Sequence, residues 1–277
     1  MNRRTFAVAA GGALTGLAGC LGETPSGGTD TTTDGGSDAG GGTGTPQATA
    51  SGLPADVDGY PEEVQAKPED RTVDASGLDT VEEGGVDVPL LPVGDAHVWW
   101  AYRRARFADA RGPDQYENSH IRGAVLSPAP EDMRGSDDPV TSWGTADRIV
   151  CYCGCPHHLS SIRASQLIRA GYENVYVIDE GFFEWTDLDY PVTGNGGGIS
   201  EFVVRGDVHA KHAGENAWVT PADSDQLEST DIAADGSFEL HCKFVDVTQD
   251  TRLRVDTPAW SATGTVRDLT SGTVRGD

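Results

Sequence analysis

Residues 149–161 read Ile149-Val150-Cys151-Tyr152-Cys153-Gly154-Cys155-Pro156-His157-His158-Leu159-Ser160-Ser161. The β-branched and aromatic start of this segment predicts a strand, and the residues after the proline predict a helix. Cys153 therefore stands in a short loop that joins the end of a strand to the start of a helix. Unpaired backbone N–H groups and the helix dipole stabilise a thiolate at such a place. We expect a lowered pKa and a nucleophilic role for Cys153.

The composition is strongly acidic. The chain has 277 residues, a net charge of −24 and a pI near 4.4. This length accommodates one medium domain and a smaller one. The acidic excess is spread along the chain and would repel phosphate backbones, so we predict no binding to nucleic acid. Lysine accounts for only three positions, 67, 211 and 243, among the 20 basic residues. This balance is typical of proteins from high-salt environments, although an ordinary acidic exported protein is an alternative.

The first twenty residues have the features of an export signal. A charged start with the pair Arg3-Arg4 precedes a short apolar stretch, which is followed by Leu17-Ala18-Gly19-Cys20. The arginine pair resembles the twin-arginine class of signals, and the last four residues resemble a lipobox. We predict a signal over residues 1–20, a lipid on Cys20 and attachment to the extracytoplasmic face of the cell membrane. The alternative is a short apolar helix with a chance arginine pair.

Composition divides the rest of the chain into three regions. Residues 21–75 are rich in Gly, Thr and Asp and predict a disordered tether, because they contain few large apolar side chains to bury. Residues 76–194 predict an α/β domain. Residues 199–277 alternate apolar with polar side chains between Asp/Gly turns, which predicts a small all-β sandwich.

The α/β region alternates predicted strands with predicted helices. We predict an extended segment over 86–93, a helix capped by Asp95, strands over 106–110, 123–126, 149–152 and 174–178, and helices over 114–118 and 160–170. This alternation favours a parallel sheet flanked by helices, whose ligands bind beyond the carboxyl ends of the strands. Cys153 lies at such an end.

No motif in the all-β region indicates a particular reaction or ligand. Strands are predicted over 202–208, 217–219, 237–244 and 251–255. Trp218, Trp260, His209 and His212 fit core or surface roles better than a binding site.

Four segments, in order, are similar to the rhodanese-like (sulfurtransferase) domain family over roughly residues 86–194. Phe107-Ala108-Asp109-Ala110-Arg111 resembles the family's strand that ends in Asp-x-Arg. Tyr116-Glu117-Asn118-Ser119-His120-Ile121-Arg122-Gly123-Ala124 resembles its Tyr-x-x-Gly-His-Ile-x-Gly-Ala segment. Tyr152-Cys153 resembles the opening of its active loop, and Glu180-Gly181-Phe182-Phe183-Glu184-Trp185 resembles its closing segment.

The resemblance implies an activity and roles for particular residues. Cys153 would accept sulfane sulfur as a persulfide from a small anion or another persulfide and pass it to a thiol, with no cofactor. Ser160 or Ser161 would cap the following helix, and Arg163 would lie in its first turn and steer anions unless it is an exposed surface side chain. The loop that wraps the sulfur would comprise Gly154, Cys155, Pro156, His157, His158, Leu159 and Ser160, and the supporting residues would be Asp109, Arg111, His120 and Arg163.

Three features depart from the family pattern. Counted back from Ala170-Gly171-Tyr172, the loop is one residue longer than the family pattern, and we expect this to widen the cradle around the sulfur. It also lacks the Lys or Arg that holds thiosulfate, and His157 and His158 would replace that cation only when protonated, so we expect activity to fall as pH rises through their range. Cys155 adds a second thiol near the first.

Other functions stay open at this stage. One alternative is a redox relay, in which Cys153 and Cys155 form a disulfide. The other is that Cys155 is simply a packed thiol without a chemical role. The two cysteines with His157, His158 and His120 offer copper or zinc ligands, although ligands so close on a tight loop cannot all converge.

A third alternative is a non-catalytic sensor or binding module. Cys151 and Cys242 are predicted to be buried, and a disulfide from Cys242 to Cys155 or Cys151 is possible in an exported protein.

Overall fold

The computed structural model describes residues 58–134 and 138–276. The described residues belong to one compact unit. The predicted export signal, Cys20 and the predicted tether up to residue 57 lie outside the described residues. Residues 58–75, which the sequence analysis assigns to the same tether, instead pack on the α/β region: the Phe107 N–H donates to the Gly59 carbonyl at 2.7 Å, and Tyr60 is buried. Within the described ranges, no helix combines the length and the apolar character needed to cross a bilayer.

The first region, residues 80–194, is called here the α/β part. Its elements are β1 (Thr80–Glu83), β2 (Val86–Leu91), α1 (Val93–Ala101), β3 (Arg106–Asp109), α2 (Pro113–Asn118), β4 (Ser119–Ile121), β5 (Val125–Leu126), β6 (Arg148–Tyr152), α3 (His158–Arg169), β7 (Asn174–Ile178), α4 (Gly181–Asp187) and β8 (Val192–Gly194). Six strands form one sheet in the order β1-β2-β7-β6-β3-β5, in which β1 is antiparallel to β2 and the other neighbours are parallel. β4 and β8 pair separately. The predicted parallel sheet with flanking helices is confirmed.

The central strand β6 is buried on both faces, as expected for a parallel sheet covered by helices. Val150 and Tyr152 pack with side chains of α1 and α4, whereas Ile149 and Cys151 pack with those of α3. This alternation places Cys151 in the core, as predicted. It also delivers Cys153 to the carboxyl edge of the sheet.

Two helices begin earlier than the sequence indicates. α1 begins at Val93, whose N–H donates to the Glu180 carboxylate at 2.8 Å, so Asp95 lies in the first turn and does not cap the helix. α3 begins at His158 after His157, which has a φ of 35°. The prediction that Ser160 or Ser161 caps this helix is therefore wrong.

The second region, residues 199–276, is called the all-β part. Its elements are β9 (Ile199–Asp207), β10 (Asn216–Pro221), β11 (Glu228–Asp231), β12 (Ser237–Val245), β13 (Arg252–Asp256), β14 (Ser261–Thr265), α5 (Val266–Thr270) and β15 (Thr273–Val274). The strands form a four-stranded sheet, β11-β10-β13-β14, and a three-stranded sheet, β12-β9-β15. Inward side chains from both sheets share one apolar core, to which Leu240, Phe244, Val219 and Leu253 contribute. The β-sheets predicted for residues 199–277 are confirmed.

The two parts pack against each other through α2 and the chain before β11. The Asp114 carboxylate accepts hydrogen bonds from the Ser224 hydroxyl at 2.7 Å and the Asp225 N–H at 3.0 Å. The Gln115 side-chain oxygen accepts from the N–H groups of Gly112 and Leu227. These contacts place β11 beside the carboxyl edge of the six-stranded sheet.

Candidate active site

Cys153 lies just beyond β6, and α3 starts five residues later. Its thiol donates to the Cys155 carbonyl oxygen at 3.1 Å and lies 3.4 Å from the Ser160 hydroxyl. The loop therefore curls around the sulfur and returns to it at the first turn of α3. The N–H groups of Leu159 and Ser160 in this first turn bond the sulfur and favour its thiolate, as the sequence predicts for a nucleophilic cysteine.

The thiol is nevertheless buried. Cys153 is 1% exposed and packs with Ala110, Leu159 and Leu227, the last of which comes from the all-β part. Burial raises the pKa of the Cys153 thiol to about 11. The Ser160 hydroxyl and the N–H groups of Ser160 and Leu159 oppose this rise, whereas the Glu228 charge adds to it.

The prediction of a lowered pKa is therefore wrong for this conformation. That prediction considered the helix terminus, which does favour the thiolate, but no local pattern indicates that a second region covers the sulfur. Loss of hydration disfavours the charged form more strongly than the helix terminus favours it.

The closing segment at the start of α4 fixes the loop from one side. The N–H of Phe182 donates to the Cys153 carbonyl at 2.8 Å, and the N–H of Phe183 donates to the Gly154 carbonyl at 3.3 Å. Gly181 has a φ of +82°, and a Cβ on it would lie 2.7 Å from the Cys155 carbonyl oxygen. A glycine is needed at position 181 because the loop backbone passes so close.

Asp109 and Arg111 form a buried ion pair behind the loop. The guanidinium donates to the Asp109 carboxylate at 2.6 Å and to the Ser119 carbonyl at 2.7 Å. It also lies over the Phe182 ring at 4.1 Å. Both residues therefore have a structural role: their ion pair connects the end of β3 to α4.

Two other predicted supporting residues are tied to structural partners. Arg163 is the sixth residue of α3, so its predicted place in the first turn is wrong. It is buried and donates to the Asp138 carboxylate at 2.6 Å and to the Ser127 hydroxyl at 2.8 Å, and so it is neither a surface residue nor a free anion-binding cation. His120 lies on β4, where its ring stacks on Tyr116 and its Nδ1 bonds the Tyr116 carbonyl oxygen.

The remaining loop side chains point toward different neighbours. His157 lies 3.5 Å from the Asp179 carboxylate. Burial lowers the pKa of His158, which makes it a weaker substitute for the missing loop cation than its type suggests. The Cys155 thiol faces the His241 carbonyl oxygen of β12 at 3.6 Å, and Pro156 is exposed.

Cys151, Cys153, Cys155 and Cys242 are all free thiols. Burial raises the pKa of Cys151 to about 12, which fits its predicted inert role. Cys242 is buried in the core of the all-β part, as predicted. Among residues 58–134 and 138–276, no group of three or more His, Cys, Asp or Glu side chains is arranged to hold a metal ion.

The sequence analysis missed two charged residues beside the loop, both from the all-β part. Glu228 of β11 is 3% exposed, and its carboxylate accepts from the Gln115 amide at 3.2 Å. Lys243 of β12 lies 4.0 Å from the centroid of the Phe183 ring and pairs with Glu201 at 3.5 Å. Lys243 lowers the pKa of Cys155, although burial outweighs it and raises that pKa to about 12.

Comparison with known proteins agrees with the resemblance found in the sequence. Residues 100–188 match the family model described as Rhodanese-like domain. The chain therefore contains a rhodanese-like domain in its α/β part.

Similar solved structures come from bacteria and an archaeon. A protein of Bacillus halodurans is 19% identical, with a TM-score of 0.34 over 39% of this chain and 77% of that one. A rhodanese-like domain from Anabaena sp. is 23% identical, with a TM-score of 0.33 over 39% of this chain and 80% of that one. A rhodanese-related protein from Thermoplasma volcanium is 16% identical, with a TM-score of 0.33 over 38% of this chain and 98% of that one.

Proposed function

We propose that the protein is a sulfurtransferase that carries sulfane sulfur on Cys153. The observation that carries this proposal is the position of the Cys153 sulfur, which lies between the end of β6 and the first turn of α3. There it contacts the Ser160 hydroxyl at 3.4 Å and is favoured as a thiolate by the N–H groups of Leu159 and Ser160. Such a cradle also suits the outer sulfur of a persulfide, since its charge meets the same donors.

The reaction proceeds in two displacements. In the first, the Cys153 thiolate attacks the sulfane sulfur of the donor, a bond forms between the two sulfurs, and the donor's own bond to that sulfur breaks. The electron pair leaves with the donor anion. In the second, an acceptor thiolate attacks the outer sulfur of the persulfide, and Cys153 departs as the thiolate. No external oxidant or reductant is consumed.

The mode of anion recognition follows from the charges near the loop. Arg111 and Arg163 are held by Asp109 and Asp138, and burial lowers the pKa of His158, which disfavours its charged form. Lys243 of the all-β part, which pairs with the exposed Glu201 at 3.5 Å, is the cation that acts on Cys155. We propose that small anionic donors approach from the side of Lys243.

Mass spectrometry of the full chain after incubation with thiosulfate, polysulfide or a thiosulfonate tests the activity. The expected result is the addition of one sulfur atom to Cys153, lost in Cys153→Ser and retained in the core variant Cys151→Ser. Retention in Cys155→Ser would exclude an obligatory redox relay through Cys155. If no donor modifies the reduced wild-type protein, the sulfurtransferase proposal is wrong.

A non-catalytic binding module is the second candidate. The burial of Cys153 favours it, because a thiol that is 1% exposed and has a pKa of about 11 is a poor nucleophile in this conformation. The same experiment separates the two functions.

We propose, from the sequence alone, that the protein is attached to the extracytoplasmic face of the cell membrane by a lipid on Cys20 and works at high salt. Membrane fractionation of wild-type protein and Cys20→Ser tests the anchor. The wild type is expected in the membrane fraction and the variant in the soluble fraction. Equal partitioning of the two would contradict it.

A further inference from the structure

Glu228 is a buried carboxylate that the proposed sulfur transfer does not use. It begins β11 in the all-β part, yet its side chain lies against the active loop of the α/β part. Its Oε1 atom is 3.4 Å from the place that a Cβ on Gly154 would occupy, and Gly154 directly follows Cys153. The carboxylate of Glu228 thus lies directly beside the loop, at ordinary contact distance from residue 154, whereas the Phe183 ring at 2.9 Å is the group that would clash with a side chain there.

The position of Glu228 is set by Gln115 of α2. The Gln115 side-chain oxygen accepts from the Gly112 N–H at 3.1 Å and from the Leu227 N–H at 3.2 Å. Because that oxygen is occupied by two donors, the amide nitrogen faces Glu228 and donates to its carboxylate at 3.2 Å. One side chain thus fixes both the backbone before Glu228 and the direction of its carboxylate.

Charged and titratable groups surround Glu228 from each neighbouring element. Arg111 and Lys243 favour the carboxylate, as does the hydrogen bond from Gln115, whereas Asp109 disfavours it. Burial is the strongest influence and raises the pKa of Glu228 to about 8. The three thiols whose pKa values Glu228 raises are those of Cys153, Cys155 and Cys242.

The interaction between Glu228 and Cys153 is reciprocal. Two buried groups that both become negative on losing a proton disfavour each other's ionisation. A proton on Glu228 therefore makes the Cys153 thiolate easier to form, and an ionised Glu228 makes it harder to form.

We propose that Glu228 is a positioning residue of the Cys153 site that acts on the thiol through its charge, so that the all-β part controls how readily the thiolate forms. Its relevance to sulfur transfer rests on the proposed function. The charge coupling itself requires only the thiol and the carboxyl group, and it is therefore testable without any sulfur donor.

The test is the rate at which iodoacetamide alkylates Cys153 in the full chain, followed by fragment-ion mass spectrometry that distinguishes a label on Cys153 from one on Cys151 or Cys155. Wild type is compared with Glu228→Gln, which keeps the shape and removes the charge. Glu239→Gln is the matched control because Glu239 is an exposed carboxylate on β12. The rates are measured at about pH 6.5 and about pH 9.5, on either side of the Glu228 pKa.

At the lower pH, Glu228 is protonated in the wild type, so Glu228→Gln should react at the wild-type rate. At the higher pH, it should react about tenfold faster, as expected if the charge raises the thiol pKa by about one unit. Glu239→Gln should match the wild type at both values. If Glu228→Gln reacts at the wild-type rate at both pH values, the proposal is overturned. An equal acceleration at both pH values would also overturn it, because it would mean that the substitution merely loosens the cover over Cys153.

The wild type provides a second test that needs no variant at position 228. Its alkylation rate should rise with pH, flatten near the pKa of about 8 of Glu228, and rise again above it. A uniform rise through this range would contradict the coupling. If these results hold but no donor forms a persulfide, the coupling stands and the sulfurtransferase proposal fails.

Discussion

Gly112 approaches the backbone of Asp225 so closely that a Cβ atom on residue 112 would lie 1.7 Å from the Asp225 carbonyl oxygen. Gly112 immediately precedes α2, and Asp225 lies in the segment that leads into β11. The contact therefore joins the α/β part to the all-β part. Leu227 and Glu228 follow this contact directly, so the fit at Gly112 determines how β11 meets the active loop.

Gly112→Ala should destabilise this junction. The added methyl group meets backbone, which cannot rotate away, so we expect a loss of about 3 kcal/mol in the free energy of unfolding. Urea denaturation measures this loss. Gly77→Ala is the matched control, because nothing lies within 4 Å of a Cβ at that position. A loss for Gly112→Ala no larger than that of the control would show that the two parts do not pack this closely in solution.

Glu228 should make the protein less stable as pH rises. Its pKa is about 8 in the folded protein and near 4.5 in the unfolded chain, so the folded state binds the proton more tightly. The stability that this proton contributes is complete below about pH 4.5 and is lost as pH rises through about 8. The wild type should therefore weaken over this window relative to Glu228→Gln, by about 3 kcal/mol.

Urea unfolding at about pH 5 and about pH 8 measures the Glu228 contribution. Glu239→Gln should follow the wild-type pH dependence, because Glu239 is half exposed and pairs with Arg205 at the surface. If Glu228→Gln and wild type change in parallel between these pH values, Glu228 is not buried as described.

Asp109→Asn should be strongly destabilising. It removes the partner of the buried Arg111 guanidinium and leaves that charge without compensation, for an expected cost of about 3 kcal/mol. Glu239→Gln, which breaks the exposed pair with Arg205, should cost about 0.5 kcal/mol or less. Urea denaturation compares the two. Equal costs would mean that the Asp109–Arg111 pair is hydrated.

The arrangement of strand, cysteine loop and helix was predictable because its signals are local. Burial of both faces of β6 follows from its run of apolar and β-branched residues, and the Gly and Pro after Cys153 mark the loop. The predicted start of α3 was wrong for a local reason as well. Ser160 and Ser161 have the side chains of helix caps, but Ser160 contacts the Cys153 sulfur and Ser161 bonds the His158 carbonyl oxygen.

The role of the all-β part was not predictable from local signals. β11 reads Glu-Ser-Thr-Asp, which has no apolar alternation, and its burial comes from residues far away in the chain. Glu228 meets Gln115 across 113 positions. The same long-range packing reversed the predicted shift of the Cys153 pKa. The helix terminus that lowers this pKa can be read from the sequence, whereas the burial by Leu227 that raises it cannot.

Leu227→Ala should make Cys153 more reactive. Leu227 is 1% exposed and packs with Cys153 and Leu159, so a shorter side chain opens the cover over the sulfur. We expect alkylation of Cys153 at neutral pH to rise severalfold, with a loss of about 3 kcal/mol in the free energy of unfolding. Leu240→Ala removes an equally buried leucine from the core of the all-β part and should cost similar stability without changing the alkylation rate. Equal acceleration in the two variants would mean that global unfolding, and not the local cover of Leu227, limits access to the thiol.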